Sequence, residues 1–307
     1  MISVPAVVNK NPFGLLNVNK HTGATSRDVV NRVQWQLKQI AKRDGTKAAK
    51  VGHAGTLDPI ATGVLVLCVG SATRLIEHVQ RQPKRYRGTF QLGQRSPSDD
   101  IELPVESVPD APVPTLAEIE ATLPEFIGQI KQVPPAYSAI KIDGKKAYDL
   151  ARDGKAPEMK SRTVTIHELA VVSYDYPELV LDIRCGSGTY VRAIGRDLAA
   201  KLDTGAVMSA LERTAIGEFT VQNATGVDAI DETTLPDLLL PAGLALADTP
   251  RIEVNRTEIA ELRNGRFLDR PQAPRGPELA AFDAAGELVA LLKPRGNGRL
   301  QPTRVFA

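Results

Sequence analysis

Apolar residues recur along the chain with helical spacing in some segments and with strand spacing in others. From Ser26 onward, apolar side chains return every three or four positions, which predicts an amphipathic helix with Ser26 as its cap. This stripe consists of Val30, Val33, Leu37 and Ile40. The run VLVLCV at 64–69 is short, β-branched and bounded by glycines, so it predicts a strand that is buried on both faces.

Strict alternation dominates the middle of the chain. RYRGTFQL at 85–92 and two later segments, at 162–174 and 178–185, alternate apolar and polar residues and predict antiparallel strands. Helical spacing returns at 188–202, whereas residues 96–115 contain five prolines and several acids and predict a surface excursion. Together these elements indicate an α+β fold in which helices flank a mixed, mainly antiparallel central sheet.

The end of the chain follows a different pattern. Residues 227–250 are acidic and interrupted by prolines, which indicates a linker or peripheral helices. The 57 residues that follow contain one short helix and a hairpin around 283–286, a pattern that suits a small β-barrel. We therefore expect two domains, at residues 1–249 and 250–307.

Composition restricts the class of protein. Of the 307 residues, 42% are hydrophobic and 24% charged, as in ordinary soluble globular proteins. No apolar stretch approaches the roughly 20 residues that span a membrane, and the N-terminus lacks the pattern of a secretory signal. Cys68 and Cys185 lie far apart in apolar runs, which predicts buried free thiols and a cytoplasmic location. Without a CxxC pair, and with four scattered histidines, local spacing assembles no metal site.

Charge is segregated although its sum is only +2. Residues 81–95 hold five basic side chains and no acid, and residues 293–304 hold four basic side chains and no acid, whereas 96–120 hold seven acids and no base. Such segregation gives a positive face that could bind phosphates. Solvated surface faces explain the same runs equally well.

Familiar nucleotide and metal motifs are incomplete. GSGTYV at 186–191 has Val191 where a dinucleotide fingerprint requires its third glycine. HELAV at 167–171 lacks the last histidine of the HExxH zinc pattern, and neither a GxSxG elbow nor a P-loop lysine is present. These absences argue against a dinucleotide enzyme, a zinc protease and the common hydrolases.

Asp58 is the strongest catalytic candidate. Pro59 directs it toward an extended conformation, and nearby glycines permit sharp turns, so its carboxylate is held in place as acid–base or covalent chemistry requires. A turn-forming aspartate is an equally good explanation of this loop taken alone. Arg192 is a potential partner for a carboxylate, and Tyr86 stands among cations, as an aromatic that stacks on an RNA base does. His53, Tyr86 and Tyr190 each have an ordinary structural explanation, and only their joint occurrence favours a site.

These segments resemble the TruB family of tRNA pseudouridine-55 synthases. GHAGTLDPIATGVLVLCVG at 52–70 is similar to the family signature, and KRYRG, QVPPAYSAIKIDGKKAYDLAR and CGSGTYVRAIGRDLA follow at 84–88, 132–152 and 185–199 in the family's order. The resemblance implies a pseudouridine synthase fold for residues 1–249. The C-terminal residues 250–307 are similar to a PUA domain, a small RNA-binding β-barrel.

The resemblance also implies roles for single residues. Asp58 would be the catalytic aspartate, and Arg192 would hold it by a salt bridge. Tyr86 would stack on the flipped base and take part in proton transfer from C5. The remaining assignments are Tyr190 lining the pocket, Leu211 closing its apolar side, His53 entering the space that the base vacates, and Lys20 in a supporting role.

The implied reaction is the isomerisation of uridine to pseudouridine at position 55 in the T loop of tRNA. The N1–C1′ bond breaks, the uracil turns, and C5 bonds to C1′, which requires neither a cofactor nor a metal. Three first steps are open to Asp58, namely attack on C6, attack on C1′, or removal of a proton from C2′. The expected partner is the T arm of tRNA, bound by a cytoplasmic monomer that needs no other protein and no membrane.

A second function is a non-catalytic RNA-binding or tRNA-folding module on the same scaffold, against which the presence of Asp58, Tyr86 and Arg192 together argues. The chain departs from the family pattern in three places. His21 replaces a proline, Glu212 replaces an arginine, and QRSPSDDIEL at 94–103 differs from the usual TxTxDxxG arrangement, so we expect that segment to be built differently.

Overall fold

The computed structural model describes residues 12–138, 141–142, 144–152 and 159–306. The N-terminal segment that was inspected for a secretory signal, and part of the 132–152 block, lie outside these residues. The α-helices are α1 Ser26–Asp44, α2 Ile76–Arg81, α3 Leu116–Thr122, α4 Ala147–Arg152, α5 Val191–Lys201, α6 Leu235–Leu238 and α7 Arg256–Arg263. Turns of 3₁₀-helix lie at Gly70–Leu75, Leu123–Phe126, Val221–Asn223, Val227–Ala229 and Ala242–Leu246.

The strands belong to one large sheet, one smaller sheet and two short ribbons. They are β1 Gly14–Lys20, β2 Val51–His53, β3 Thr62–Val69, β4 Lys84–Leu92, β5 Gln94–Arg95, β6 Glu106–Ser107, β7 Gly128–Gln132, β8 Lys141–Ile142, β9 Lys145–Lys146, β10 Arg162–Asp175, β11 Glu178–Cys185, β12 Ala206–Ile216, β13 Phe219–Thr220, β14 Thr225–Gly226, β15 Arg251–Glu253, β16 Leu268–Asp269, β17 Leu279–Phe282, β18 Leu288–Pro294 and β19 Arg299–Val305.

The large sheet confirms the predicted mixed, mainly antiparallel architecture. Its order is β14-β1-β3-β12-β4-β11-β10-β7, with β2 added beside β3 and β13 beside β12. The pairs β1–β14 and β3–β12 are parallel, and the other neighbours in this order are antiparallel. Because β4 lies between β12 and β11, the segment with Tyr86 runs through the middle of the sheet.

Strand β3 is buried on both faces, as its apolar run predicts. Leu65, Leu67 and Val69 face the core beneath α1 and α5, whereas Val66 and Cys68 face the core shared with the C-terminal region. Cys68 and Cys185 are free and buried, as expected.

The N-cap of helix α1 lies one residue before the predicted one. Thr25, not Ser26, is the N-cap, and it forms a capping box with Asp28. The Ser26 hydroxyl instead donates to the carbonyl of Leu57 at 3.2 Å and accepts from the Leu57 N–H at 2.8 Å. This reciprocal pair ties the start of α1 to the loop that carries Asp58.

The predicted surface excursion at 96–115 is only partly at the surface. Ser98 and Asp100 are completely buried, and the Ser98 hydroxyl donates to the Asp100 carboxylate at 2.6 Å. The prediction was wrong for this stretch because a buried arginine, Arg192, neutralises the acid that composition alone would assign to water.

The C-terminal region forms a curled, five-stranded half-barrel of order β15-β17-β18-β19-β16. Part of its core is its own, but Phe282, Leu291 and Phe306 share an apolar cluster with Leu15 and Val79 of the main sheet and its helices. Among the described residues, no helix is long and apolar enough to span a membrane.

Candidate functional site

A cavity of about 260 Å³ is lined by the loop that precedes β3, by β4 and β12 in the middle of the large sheet, and by the start of α5. Five of the residues predicted from sequence line it together, namely Asp58, Tyr86, Tyr190, Arg192 and Leu211. Thr56, Leu57, Ser138, Thr189 and Val191 complete the lining. The segments that carry these residues are far apart in sequence, so the sheet topology assembles the site.

The Asp58 loop is held by backbone contacts. The Ala61 N–H donates to the Asp58 carbonyl at 3.0 Å, and the Gly23 N–H donates to the Pro59 carbonyl at 2.9 Å. Gly63 ends the loop with φ +94°, and a β-carbon there would lie 2.3 Å from the Arg213 carbonyl, so no other residue fits this close approach. The loop therefore presents the Asp58 carboxylate, 37% exposed, from a fixed backbone.

Arg192 is the electrostatic centre of the site. Its guanidinium is 5% exposed and contacts two carboxylates, Asp58 at 3.2 Å and Asp100 at 2.9 Å. It also donates to the carbonyls of Ser98 at 2.8 Å and Tyr137 at 3.0 Å. Such saturation is what a buried cation requires, and it fixes the orientation of the Asp58 carboxylate, which lines the cavity.

Tyr86 lines the cavity from the central strand β4. Burial raises the pKa of its phenol, and the positive charge and hydrogen bond of Arg213 oppose that shift. Arg213, 2% exposed, also donates to the carbonyls of Val64 at 2.7 Å and Gly55 at 3.1 Å. Arg213 thus connects Tyr86 to both ends of the Asp58 loop.

Tyr190 stands at the start of α5 and is braced from behind. The Arg162 guanidinium lies 4.7 Å from the centre of its ring, and it also donates to the Gly188 carbonyl. Because Tyr190 and Arg192 share the first turn of one helix, the aromatic wall and the carboxylate anchor are placed by one element.

Lys20 and His53 lie outside the lining of the cavity. Lys20 is completely buried, and its ammonium donates to the carbonyls of Ala24 at 2.7 Å and Pro59 at 3.4 Å. Burial lowers its pKa to about 8. His53 ends β2 and is half-buried, and burial holds the pKa of its imidazole below the ordinary value, so the ring is neutral at pH 7.

Sequence reasoning missed Asp100, Arg213 and Gln132 as members of the site. A signal for Asp100 was present, since Ser96 and Ser98 stand at the threonine positions of TxTxDxxG and Asp100 stands at the aspartate. Both serine hydroxyls donate to the Asp100 carbonyl, so the two hydroxyl residues hold the backbone of this acid in place. Arg213 and Gln132 act through backbone contacts with distant segments, which local sequence does not reveal.

The outward arginines of β4 differ from one another in charge environment. Arg85 pairs with Asp182 at 2.7 Å and Glu168 at 3.8 Å, so its charge is already engaged. Arg87 is exposed and has no ion pair within the described part of the chain. Among the described residues, no group of three or more His, Cys, Asp or Glu side chains is placed to hold a metal ion.

Comparison with known proteins gives consistent matches along the chain. Residues 43–191 match the family described as TruB family pseudouridylate synthase (N terminal domain), and residues 249–307 match the one described as tRNA Pseudouridine synthase II, C terminal. The chain is similar to a Rhodopirellula baltica protein named tRNA pseudouridine synthase B, with 37% identity over 96% of this chain and 95% of the relative. A protein of the same name from Caulobacter sp. (strain K31) is 40% identical over 95% of this chain and 96% of its own length.

Solved structures agree in fold. The chain superposes on a chain of the structure titled "Crystal Structure of a Cbf5-Nop10-Gar1 Complex" with a TM-score of 0.72 and 24% identity, covering 96% of this chain and 85% of that chain. A structure titled "Crystal structure of the archaeal box H/ACA sRNP Nop10-Cbf5 complex" gives a TM-score of 0.70 at 22% identity, covering 98% and 88% of the two chains. The predicted α+β fold with an additional C-terminal β-unit is confirmed.

Proposed function

The chain belongs to the TruB family of pseudouridylate synthases, and from this premise we propose that it isomerises uridine to pseudouridine at position 55 in the T loop of tRNA. The observation that carries the proposal is the exposed Asp58 carboxylate, held at 3.2 Å by Arg192 inside a cavity with two tyrosines in its lining. Planar aromatic walls suit a flipped pyrimidine, which stacks on a ring more readily than a saturated ligand does.

Asp58 is the catalytic residue of the proposed reaction. During the isomerisation the N1–C1′ bond breaks and a C5–C1′ bond forms, C5 loses its proton, and N1 gains one. A carboxylate that is held in one orientation serves either as a nucleophile or as a base in such a sequence. Arg192 keeps this carboxylate in one orientation, because its guanidinium contacts the carboxylate at 3.2 Å and is itself held by other buried partners.

The other predicted residues bind and orient the base in this proposal. Tyr86 stacks on the uracil and is positioned by Arg213 to assist the transfer of the C5 proton, while Tyr190 and Leu211 enclose the opposite side. Flipping the nucleotide costs a few kcal/mol of stacking and pairing. His53, neutral and close to the pocket in sequence, fills the vacated position in the RNA, and Lys20 holds the Asp58–Pro59 loop.

The two predicted domains divide this work. Residues 1–249 form the catalytic domain, and residues 250–307 form a PUA-like domain that contacts the phosphate backbone of the RNA. Exposed basic side chains at Lys293, Arg295 and Arg299 support this assignment, since phosphate contacts supply much of the affinity for nucleic acids. The protein acts as a cytoplasmic monomer that needs no cofactor and no protein partner.

Replacement of Asp58 by asparagine tests the function. The amide would keep the shape of the side chain but carry no charge. We therefore expect Asp58→Asn to reduce pseudouridine formation in a T-arm stem-loop by about 100- to 10,000-fold. Binding of the stem-loop should remain, since its backbone contacts are unchanged. Turnover by the variant at the wild-type rate would refute the catalytic assignment.

If the protein is instead a non-catalytic binding module, the wild type should bind tRNA but form no pseudouridine. Pseudouridine mapping of cellular tRNAs with and without the protein separates the two functions. If the protein is the enzyme, position 55 remains uridine in cells that lack it. Equal modification in both cells, with stem-loop binding but no turnover in vitro, would favour the binding module.

A further inference from the structure

Gln132, the first residue of the QVPPAYSAIK block, lies behind the cavity and outside its lining. It ends the edge strand β7, and its side chain is completely buried. Its Oε1 accepts from the Tyr190 N–H at 2.9 Å, and its Nε2 donates to the Tyr190 carbonyl at 3.1 Å. One amide group thus satisfies both backbone groups of a residue 58 positions away.

Tyr190 needs this support because it occupies the N-cap position of α5 without being able to cap it. Residues preferred at an N-cap carry a short side-chain oxygen that accepts from the first turn, and Tyr190 makes no such bond. Tyr190 thus departs from the usual residue preference at an N-cap, and its ring lines the cavity instead. Gln132 on β7 supplies the hydrogen bonds that the Tyr190 side chain does not make.

Two further contacts continue the connection between β7 and α5. The carbonyl of Val133 accepts from Arg196 at 2.8 Å, and the carbonyl of Tyr137 accepts from Arg192 at 3.0 Å. The segment 132–137 is therefore fastened along the first turn of α5. Of these contacts, only the one at Gln132 is made by a side chain from β7, so it is the one that substitution can remove cleanly.

We propose that Gln132 is a positioning residue for the isomerisation, which acts by fixing the start of α5 and with it the Tyr190 ring and the Arg192 guanidinium. This inference rests on the proposed function. Without the amide, the Tyr190 N–H loses its buried partner and the Tyr190 carbonyl keeps only the long bond from the Ile194 N–H at 3.3 Å, so the first turn of α5 shifts or frays. A displacement of about 1 Å at the reacting groups can reduce turnover about 100-fold.

The main test compares three glutamine-to-leucine variants. Gln132→Leu removes the amide at the site, Gln36→Leu removes a buried amide of α1 that donates to the Ile230 carbonyl at 3.3 Å, and Gln129→Leu alters an exposed residue of the same strand. We expect kcat on a T-arm stem-loop to fall about 10- to 100-fold for Gln132→Leu, with the Kd for the RNA nearly unchanged. Gln36→Leu should lower Tm but not kcat, and Gln129→Leu should change neither.

A second variant keeps the proposal testable if Gln132→Leu does not fold. In Gln132→Glu the ionised carboxylate still accepts from the Tyr190 N–H but repels the Tyr190 carbonyl, whereas the protonated acid can donate to it as the amide does. The activity of Gln132→Glu relative to the wild type should therefore rise as the pH is lowered. If Gln132 served only to stabilise the fold, the activity of the folded variant relative to the wild type would not change with pH.

The outcomes separate this inference from the proposed function. If the wild type forms pseudouridine and Gln132→Leu matches it in kcat, or Gln132→Glu shows a constant ratio to the wild type at every pH, the positioning role is wrong and the enzyme assignment stands. If the wild type forms no pseudouridine in the stem-loop, the proposed function itself fails.

Discussion

Two cavities of this protein each contain a nitrogen-bearing side chain in contact with a carboxylate, and they differ in what the contact leaves exposed. In the Asp58 pocket, Arg192 is shared between the buried Asp100 and the partly exposed Asp58. Between the main sheet and the half-barrel, in a cavity of about 180 Å³, His78 contacts Glu278 at 2.7 Å, and both side chains are largely buried. The first arrangement keeps one charged group available to a ligand, whereas the second pairs both groups with each other.

The two cavities also differ in support. The arginine of the Asp58 pocket has four protein partners, and the loop opposite it is fixed by Lys20, Gly23 and Arg213. The junction pair lies at the contact between helix α2 and the segment that precedes β17. A partly exposed carboxylate that many buried contacts hold in place is suited to a reaction site, whereas the single His78–Glu278 contact joins two parts of the fold.

Replacement of Arg192, whose guanidinium is shared by Asp58 and Asp100, should have the largest effect on both stability and turnover. Arg192→Met leaves the Asp100 carboxylate buried without an opposite charge, so we expect the free energy of unfolding to fall by about 3–5 kcal/mol. It also frees the Asp58 carboxylate, so kcat should fall at least about 100-fold. Denaturant unfolding and turnover on a T-arm stem-loop measure the two effects.

Arg184→Met is the matched control. Arg184 pairs with Glu168 at 3.0 Å on the outer face of β11, where both side chains are about half exposed, so its loss should cost less than about 1 kcal/mol and leave kcat unchanged. Equal losses of stability in the two variants would contradict the view that Arg192 is a buried, multiply paired cation.

The same contrast explains how much of the molecule the sequence predicts. β3 and the alternating strands were identified because burial on one or both faces imposes a period on the sequence itself. Asp58, Tyr86, Tyr190, Arg192 and Leu211 were predicted to belong to one site, and the structure brings them together. Their catalytic and binding roles stay predictions, as do the two domain boundaries.

The residues that were missed are those whose partners are distant in sequence. Asp100 is read as a surface acid until Arg192 is seen beside it, and Gln132 is read as a polar residue at a strand end until its bonds to Tyr190 are seen. Periodicity reports which face is buried, but it does not report which buried polar groups meet. His53 is the opposite case. It was predicted from the 52–70 motif to belong to the site, yet it lies outside the cavity lining.

An intermediate effect is expected from Lys20, which holds the Asp58 loop from behind. Burial lowers the pKa of its ammonium from 10.5 to about 8, so between pH 8 and 10.5 the unfolded chain binds a proton that the native protein has lost. The free energy of unfolding contributed by Lys20 therefore rises with pH across this window, by at most about 3 kcal/mol. Below pH 8 both states are protonated, and the contribution is constant.

Lys20→Met isolates this contribution, because the other titrating groups are common to both proteins. The stability of the wild type relative to Lys20→Met should increase from pH 8 to pH 10.5 in denaturant titrations. A difference that is flat or declines with pH would show that burial does not depress the pKa of Lys20.

The smallest effect is expected at the junction. A double-mutant cycle with His78→Gln and Glu278→Gln should give a coupling energy of about 1 kcal/mol, because a single hydrogen-bonded pair contributes little beyond what its two groups lose in hydration on burial. Turnover on the stem-loop should stay at the wild-type value in all three variants, since neither side chain lines the Asp58 cavity. Glu77→Gln, which alters the exposed neighbour of His78, controls for charge on α2. If the junction variants lowered kcat as strongly as Arg192→Met, the two cavities would be one functional unit. The distinction between the Asp58 carboxylate, which is available to a ligand, and the His78–Glu278 pair, which is not, would then fail.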